Sequence, residues 1–433
     1  MPIILTSATT VVLGATDTAL LGHYSTDALG IAALVVPVWI LATALVVPWG
    51  SATQVLVARW YGAGDQAAIR RLAGTGLAGG ALIGACFAML GAVTTPGVVA
   101  LTAPDGLDRG QATAMMWILL CALPFTAMTA HLRGLLAGTG DTGGAARVAV
   151  LVAVINLSMS AILIFAVKLG PIGSAIGSVT AIAAGAGMLY RRARAMLGRS
   201  GEGWGVDRRL ARPWTAIAMP DLVFSVVSYG ADVVVVGVAG SLGTVSLAAH
   251  RVVGIATALI WMFVYGTGAA TAILVGQRIG AGDREGRIAF ARAGAVLMLA
   301  MSCTVATALT VTADRSFALV TGDPAVVEAA VAVAWTLPLV TPIMAVATIY
   351  AAQLRAAADT KGVMYASLFS TLCVTLPAVW GFTFVGDHGL LGVYYGIVVG
   401  WVARAAATYL RYRQTAARES RSGATEGADV IYS

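Results

Sequence analysis

Two aspartates lie inside long apolar stretches of the sequence, where a charged side chain needs a physical reason to be. Asp17 lies about fifteen residues into the first apolar run, some 22 Å along a helix that rises about 1.5 Å per residue, and Asp232 lies deep in a later run. A carboxylate in a helix that crosses lipid costs at least about 2.5–3.5 kcal/mol, so it must face water, a partner or a cation. Such a group can change its charge when a proton or a cation arrives. The alternative is structural: Asp17 is hydrogen-bonded at a helix break near Gly14 or Gly22, and Asp232 is a packing residue.

The composition indicates that the apolar stretches cross a membrane. Of the 433 residues, 59% are hydrophobic and 11% are charged, whereas a soluble domain is about 45–50% apolar and 25% charged. The mean hydropathy of +0.86 agrees. A soluble globule is therefore excluded, and a β-barrel does not fit because the apolar runs exceed the length of about ten residues that its strands need. The four cysteines are scattered singly and indicate neither a disulfide framework nor a zinc site.

Twelve helices are predicted from the apolar runs between charged residues and Gly or Pro breaks, since each span needs about 20 apolar residues. They lie at 2–22, 32–58, 72–98, 112–136, 146–167, 172–190, 213–239, 248–276, 289–312, 327–352, 363–385 and 390–410. With twelve spans, both termini lie on one side. That side carries 23 of the 27 basic residues, which predicts cytoplasmic termini and accounts for the net charge of +7 without nucleic acid.

The polar stretches divide the chain into four predicted regions. Residues 1–190 form an N-terminal six-helix bundle, 191–212 a cytoplasmic linker and 213–410 a C-terminal six-helix bundle. Residues 411–433 are predicted to be a disordered cytoplasmic tail because they are polar and rich in Arg, Ser, Gly and Glu. The predicted fold class is an all-α polytopic membrane protein with twelve transmembrane helices in two pseudo-symmetric bundles.

The two predicted bundles share an internal repeat. Gly62–Asp65 and Gly280–Asp283 both read Gly-Ala-Gly-Asp and lie 218 residues apart. Further matches in chain order are Asp17 with Asp232, Asp141–Thr142 with Asp359–Thr360, and Gly170, Gly173 and Gly177 with Gly389, Gly392 and Gly396. Six helices per copy keep the two copies parallel, and a cavity between such halves is the natural substrate site of an alternating-access transporter.

At these motifs the sequence resembles the multidrug and toxic compound extrusion (MATE) transporters, and within them the DinF-like branch. The resemblance covers nearly the whole chain. It is carried by Asp17–His23 (DTALLGH), Thr26–Leu29 (TDAL), Ala58–Asp65 (ARWYGAGD), Leu132–Gly134 (LRG), Asp141–Thr142, Leu247–His250 (LAAH) and Leu274–Asp283 (LVGQRIGAGD). It implies two six-helix bundles that export amphiphilic, often cationic compounds, driven by proton or sodium entry.

The resemblance also implies an ion-coupling site. Asp17 matches the coupling aspartate of the family, and Asn156 matches the asparagine that completes its proton or cation site. Ser160 stands where that branch often has a second aspartate, and Ser178 stands where the family usually has threonine. One carboxylate beside neutral oxygens suits a proton better than sodium, because a hard cation prefers several oxygen ligands with net charge. Asp232 is the possible counterpart in the second half.

Two further sets of candidates come from residue type. Aromatic and Met side chains in the spans can bind flat amphiphiles by cation–π attraction and adaptable packing, although interface anchoring and packing are the alternatives. These cavity candidates are Trp39, Met159, Tyr229, Trp261, Met262 and Tyr265. Charged residues at the Gly-Ala-Gly-Asp turns are candidates for cytoplasmic gate salt bridges, with the aspartates also able to cap the next helix. These gate candidates are Arg59, Asp65, Arg278 and Asp283.

The expected function is secondary active efflux of small organic compounds across the cell membrane. The expected transporter is a proton antiporter, with sodium as the less favoured ion, that works as a monomer in the lipid bilayer without nucleic acid, metal or organic cofactor. Two alternatives are a major facilitator-type drug exporter, which shares the parallel repeat, and a lipid-linked precursor flippase, which needs several basic residues within its helices. An intramembrane enzyme is disfavoured because no catalytic motif is present.

Overall fold

The fold was analysed in a computed structural model that describes residues 16–17, 19–103, 106–198 and 204–422, with side chains up to residue 415. These parts of the chain are helical and contain no strand. The helices are α1 (residues 16–24 without residue 18), α2 (Thr26–Gly62), α3 (Gln66–Thr102), α4 (Arg109–Gly138), α5 (Thr142–Ala166), α6 (Gly170–Leu197), α7 (Arg208–Ser241), α8 (Thr244–Gly280), α9 (Arg284–Val311), α10 (Pro324–Ala334 and Thr336–Ala356), α11 (Thr360–Val385) and α12 (Gly389–Ser422).

The predicted fold class is confirmed. Within the described residues, the eleven helices from α2 to α12 are long and apolar enough to cross a membrane. Most of the first predicted span, residues 2–22, lies outside the described residues. α2 and α3 have 37 residues each, or about 55 Å at 1.5 Å per residue. They therefore exceed the hydrocarbon thickness of about 30 Å and extend beyond it.

The internal repeat is visible in the backbone. Lys168 and Asp387, which lie 219 residues apart, both adopt positive φ (61° and 53°), and Gly170 and Gly389 follow with φ of 54° each. Each positive-φ pair follows a π-helical turn, at Ile162–Ala166 and Gly381–Val385. α11 has another π-helical turn, Phe369–Thr375. A π turn accommodates one extra residue, which explains why the offset between the copies changes from 218 to 219 along this helix.

Aspartates at the helix starts explain where most of the acidic residues lie. Asp65 accepts a hydrogen bond from the Ala68 amide (2.9 Å), and Asp359 accepts one from the Gly362 amide (2.9 Å). Asp141 does the same with the Gly144 amide at 3.2 Å. These carboxylates cap free amides and also suit the positive end of the helix dipole. In the turn before Asp65, Gly64 has φ of 76°, which glycine adopts without steric cost.

An ion pair joins two neighbouring helices at the matching place in each repeat. Arg192 of α6 donates to both oxygens of Asp141 (2.6 and 2.8 Å), and Arg411 of α12 donates to both oxygens of Asp359 (2.7 and 3.1 Å). The hydrogen bonds from Arg192 hold the pKa of Asp141 below its usual range. Burial alone raises the pKa of Asp359, but the bonds from Arg411 and the Gly362 amide outweigh burial and hold that pKa low as well.

Two predicted boundaries need correction. The linker is shorter than 191–212, because α6 continues to Leu197 and α7 already begins at Arg208; residues 199–203 lie outside the described residues. The tail predicted as disordered from residue 411 begins in the helix, since α12 continues to Ser422. The Arg411–Asp359 pair and a hydrogen bond from Thr415 to Asp359 (3.2 Å) attach this polar end of α12 to the start of α11. Residues 423–433 lie outside the described residues.

The chain forms two compact units. The first contains the described residues up to Val226 together with Gly276–Arg284, and the second contains Val227–Val275 and the described residues from Glu285 onward. The division falls inside α7 and α8, not at the predicted linker. The start of α7 belongs to the first unit because the Trp214 indole donates to the Trp49 carbonyl (3.0 Å) and to Thr53 (2.9 Å).

Candidate functional site

Asp17 in α1 meets polar side chains from two other helices of the first unit. The Ser178 hydroxyl of α6 donates to Asp17 Oδ2 at 3.0 Å, and the Asn156 amide of α5 donates to the same oxygen at 3.4 Å. Asn156 also donates to Ser178 Oγ at 3.0 Å. Asn156 is fully buried, and Ser178 is 7% exposed. Ser160, also fully buried, faces the same carboxylate. We name these four residues the Asp17 cluster.

The backbone of α6 approaches α5 closely enough to form this cluster. A Cβ at Gly177 would lie 2.6 Å from Ser160 Oγ and 2.8 Å from the Ser160 amide nitrogen, so only glycine fits. The next residue along α6 is Ser178, which this approach brings to Asn156. The π turn at Ile162–Ala166 begins two residues after Ser160, and such turns are frequent at functional sites.

The Asp17 cluster leaves oxygens available for a small cation. Among the residues that the structure describes, Asp17 Oδ1, Asn156 Oδ1 and Ser160 Oγ are buried and have no hydrogen-bond partner. A buried polar atom without a partner costs about 1–3 kcal/mol, and a buried charge costs more. A proton on Asp17 would remove the charge and supply a donor. The donors already on Oδ2 stabilise the ionised form, so the cluster can hold either state.

Asp232 lies in a different environment in the second unit. Its side chain is exposed, and it lies within electrostatic range of the Arg404 guanidinium of α12. Arg404 Nε donates to the Ser367 hydroxyl of α11 at 3.2 Å, and its Cζ lies 4.9 Å from the centre of the Trp401 ring. The possible counterpart of Asp17 therefore faces a fixed cation, whereas Asp17 faces neutral side chains.

The aromatic and Met candidates fall into two groups. In the second unit Tyr229, Trp261 and Tyr265 are 42%, 37% and 48% exposed, and Met262 is half-buried. In the first unit Trp39 packs against the apolar core and Met159 is half-buried. An apolar cavity of about 230 Å³ in the first unit is bounded by other residues, including Leu34, Val38, Phe87 and Met116. A cavity role for the six candidates stays a prediction.

The gate candidates make local contacts. Arg278 Nη1 lies 3.0 Å from Asp283 Oδ2, five residues further along the chain, so this ion pair closes the turn between α8 and α9. Asp65 caps α3. Around this turn Gln277 donates to the Gly138 carbonyl at 2.8 Å. A gating role for Arg59 and the other three residues stays a prediction.

The sequence analysis missed two charged residues within the spans. Arg404 lies fifteen residues after the start of α12 at Gly389, although the sequence analysis counted it with the basic residues at the membrane edge. Asp221 lies within α7 and is 8% exposed, so Asp17 and Asp232 are not the only carboxylates inside spans. Their position inside predicted apolar runs was a signal that could have revealed both.

The fold and the buried polar cluster define a class of protein: a multi-spanning helical membrane transporter with an internal repeat. The chain belongs to the MatE family, whose family model matches residues 2–162 and again residues 221–380. The two matched segments begin 219 residues apart and confirm the duplication. Membership in this family confirms the resemblance to MATE transporters and shows that the protein is a transporter and not an enzyme. Assignment to the DinF-like branch stays a prediction.

Curated relatives and a solved structure agree with this family. The chain is 27% identical to the probable multidrug resistance protein NorM of Bradyrhizobium diazoefficiens, over 96% of this chain and 92% of the relative. It is 26% identical to the multidrug resistance protein PmpM of Pseudomonas aeruginosa, over 96% of this chain and 90% of that protein. A crystal structure of MATE in the bent conformation superposes with a TM-score of 0.89 at 18% identity, over 98% and 95% of the two chains, and shows the shared fold.

Proposed function

We propose that this protein is a proton-coupled antiporter that exports amphiphilic, often cationic organic compounds through the cell membrane, with Asp17 as the coupling carboxylate. Its curated relatives NorM and PmpM are named multidrug resistance proteins, which supports efflux. The distribution of basic residues supports cytoplasmic termini. Alternating access then exposes the Asp17 cluster to one side of the membrane at a time.

The observation that carries the proposal is the one-sided hydrogen bonding of Asp17. Oδ2 accepts from Ser178, whereas Oδ1 is buried and has no hydrogen-bond partner among the described residues. Binding a proton there neutralises a charge that is costly in a lipid-spanning helix. Losing that proton restores a carboxylate that can attract a cationic substrate. The same group thus links proton entry to export.

Sodium is the second candidate ion, because Asp17 Oδ1, Asn156 Oδ1 and Ser160 Oγ are three oxygens of one cluster without hydrogen bonds among the described residues. We favour the proton because the cluster has a single carboxylate, and a hard cation prefers several oxygen ligands with net charge. The choice between the two ions is directly measurable.

The test is ethidium transport in proteoliposomes under an imposed pH gradient and, separately, under an imposed sodium gradient. We expect the pH gradient alone to drive transport by the wild type, and Asp17→Asn to abolish it. Transport driven only by sodium would overturn the proton assignment. Full gradient-driven transport by Asp17→Asn would overturn the role of Asp17. Monomer elution and an unchanged unfolding temperature in detergent check that the variant is folded.

A further inference from the structure

Arg404 is a cation fixed inside the second unit. It lies in the apolar part of α12, which is long and apolar enough to cross a membrane. Its Nε is bonded to the Ser367 hydroxyl at 3.2 Å, and its guanidinium lies 4.9 Å from the Trp401 ring centre. Trp401 and Arg404 are three residues apart and share one face of the helix. The position related to Arg404 by the 219-residue offset is Gly185, so the first repeat has no such cation.

Asp232 supplies an opposite charge near this arginine. It lies within electrostatic range of Arg404, as does the second arginine, Arg355. Arg355 is in the last turn of α10, near an aqueous boundary where its field is screened. The interior of the second unit therefore contains one carboxylate and one guanidinium that a small molecule can meet together.

Aromatic side chains flank both charges. The Trp261 ring of α8 lies 5.7 Å from the Trp401 ring, and Trp261 is 37% exposed. Tyr229 is 42% exposed and lies one helical turn before Asp232. We name Tyr229, Asp232, Trp261, Ser367, Trp401 and Arg404 the Arg404 cluster. It combines exposed ring faces with two opposite charges.

The backbone next to the cluster is irregular. The π turn Phe369–Thr375 begins two residues after Ser367 and has no π-helical counterpart in α5. It is the insertion that changes the repeat offset. Because π turns shift all later side chains around a helix and are frequent at functional sites, this one is consistent with a site specific to the second repeat.

The charges determine which ligand suits the cluster. A simple organic cation can pair with Asp232, but it then faces repulsion from Arg404, and a simple anion has the opposite difficulty. A ligand with both charges pairs with both groups, which leaves no buried charge unmatched. Its aromatic body can stack on the exposed indole of Trp261.

We infer that the Arg404 cluster binds aromatic zwitterions, with the ligand carboxylate on Arg404 and the ligand ammonium on Asp232. This inference rests on the proposed function as an exporter of organic compounds and specifies a substrate class for the second unit. Arg404 and Asp232 determine specificity by charge, and Trp261 and Trp401 supply the ring contact. Proton coupling at the Asp17 cluster is a separate property.

The test uses three fluorescent probes that share one scaffold. Nε-dansyl-lysine is a zwitterion, monodansylcadaverine is the same molecule without the carboxylate, and 6-(dansylamino)hexanoate is the same molecule without the ammonium. Equilibrium binding to the purified protein is measured by dansyl fluorescence without any ion gradient. We expect the wild type to bind the zwitterion about tenfold more tightly than either single-charge probe, which corresponds to about 1.4 kcal/mol. Tightest binding of either single-charge probe would overturn the inference.

Variants assign the charges to residues. Arg404→Gln should weaken zwitterion binding about tenfold and leave monodansylcadaverine unchanged or tighter, because a repulsive charge is gone. Asp232→Asn should weaken both ammonium-bearing probes. Arg413→Gln is the matched control: it removes another α12 arginine with an aromatic contact, to Tyr409 at 6.0 Å, and should change nothing. Equal loss of all three probes in Arg404→Gln would contradict the inference.

Two readouts separate this inference from the proposed function. Because binding is measured without a gradient, zwitterion selectivity can be observed even if proton-driven transport fails. Conversely, proton-driven ethidium transport without zwitterion selectivity would remove only the inference. The wild-type comparison of the three probes does not depend on any variant folding.

Discussion

The Asp17 cluster and the Arg404 cluster occupy the two copies of one duplicated bundle, and they differ in how the intramembrane carboxylate is accompanied. Asp17 has neutral partners, Asn156, Ser160 and Ser178. Asp232 has a fixed arginine and aromatic rings. A carboxylate among neutral groups can change its charge at low cost, whereas one near an arginine is held ionised. Duplication thus gave two related scaffolds with different electrostatic tasks.

The same contrast appears at matched positions. The positions 219 residues after Asn156, Ser160 and Ser178 are Thr375, Val379 and Ile397. Val379 is buried in an apolar cluster against which Ile397 packs, and Thr375 donates to the Ser370 carbonyl of its own helix at 2.9 Å. The second repeat has therefore replaced the polar contacts of the first by packing. Only the first repeat retains the side chains that can bind a proton beside the aspartate.

The largest difference is expected between the two aspartates themselves. Asp17→Asn should reduce pH-driven ethidium transport to the level of empty liposomes, because the variant has no titrating group in the Asp17 cluster. Asp232→Asn should retain a measurable response to the pH gradient and change substrate preference instead. Proteoliposome transport under a pH gradient measures both. If the two variants lose pH-driven transport equally, the contrast between the two repeats is wrong.

Gly177 tests whether the close approach of α5 and α6 is needed for coupling. Gly177→Val should destabilise the protein by about 1–3 kcal/mol through overpacking and should separate Ser178 from Asn156. Gly396→Val is the counterpart, since a Cβ there would lie 2.4 Å from the Val379 amide nitrogen. It should cost similar stability yet preserve the pH response per folded molecule.

The matched control on α6 is Gly187→Ala, because no atom lies within 4 Å of an added Cβ at this position. Thermal unfolding in detergent and transport per folded protein are the measurements. Unchanged stability and transport in Gly177→Val would contradict the close approach.

Ser178 tests the hydrogen bond to the coupling carboxylate. Ser178→Ala removes a donor that stabilises the ionised carboxylate, so the pH of half-maximal transport should rise by about one unit, equivalent to about 1.4 kcal/mol. Ile397→Ala, the counterpart in the second repeat, should leave that pH unchanged. The pH dependence of the initial transport rate in proteoliposomes reports both. A downward or absent shift in Ser178→Ala would show that this bond does not stabilise the ionised state.

The smallest effect, and one expected to be the same in both repeats, concerns the ion pairs Asp141–Arg192 and Asp359–Arg411. Asparagine is as good a helix cap as aspartate, so Asp141→Asn and Asp359→Asn remove the charge pairing and keep the cap. Each should cost about 1 kcal/mol, since the pairs are partly exposed. Unfolding temperatures of the two variants in detergent measure this cost. A large difference between them would break the symmetry of the two copies at this place.

The pH dependence of these pairs has a definite sign. The pKa values of Asp141 and Asp359 are lowered in the folded protein, so the stabilisation is present above the ordinary carboxyl pKa of about 3.9. It is lost as the pH falls through the lower folded-state values. The wild type should therefore lose stability below about pH 4, and the two Asn variants should lose less there. Detergent unfolding between pH 3 and pH 7 tests the sign.

The sequence by itself determined the membrane fold, the number of spans and the duplication. Long apolar runs can satisfy their backbone only as helices in lipid, and the recurring Gly-Ala-Gly-Asp turns reveal two copies. Asp17 was also identifiable, because a lone acid in an apolar run carries a cost that needs an explanation. Asn156 and Ser178 could be added only through the resemblance to the MATE family, since single polar residues in such helices usually serve packing.

Only the tertiary structure decided which polar groups meet. Asn156 and Ser178 are 22 residues apart in sequence, and Gly177 brings them together by letting two backbones approach. The Arg404 cluster was missed because its members come from α7, α8, α11 and α12, and because an arginine near the end of an apolar run reads as a membrane-edge residue. A π turn is likewise invisible in hydrophobic patterning, since it changes side-chain direction without changing composition. Contacts between distant helices depend on these small shifts, which local sequence does not encode.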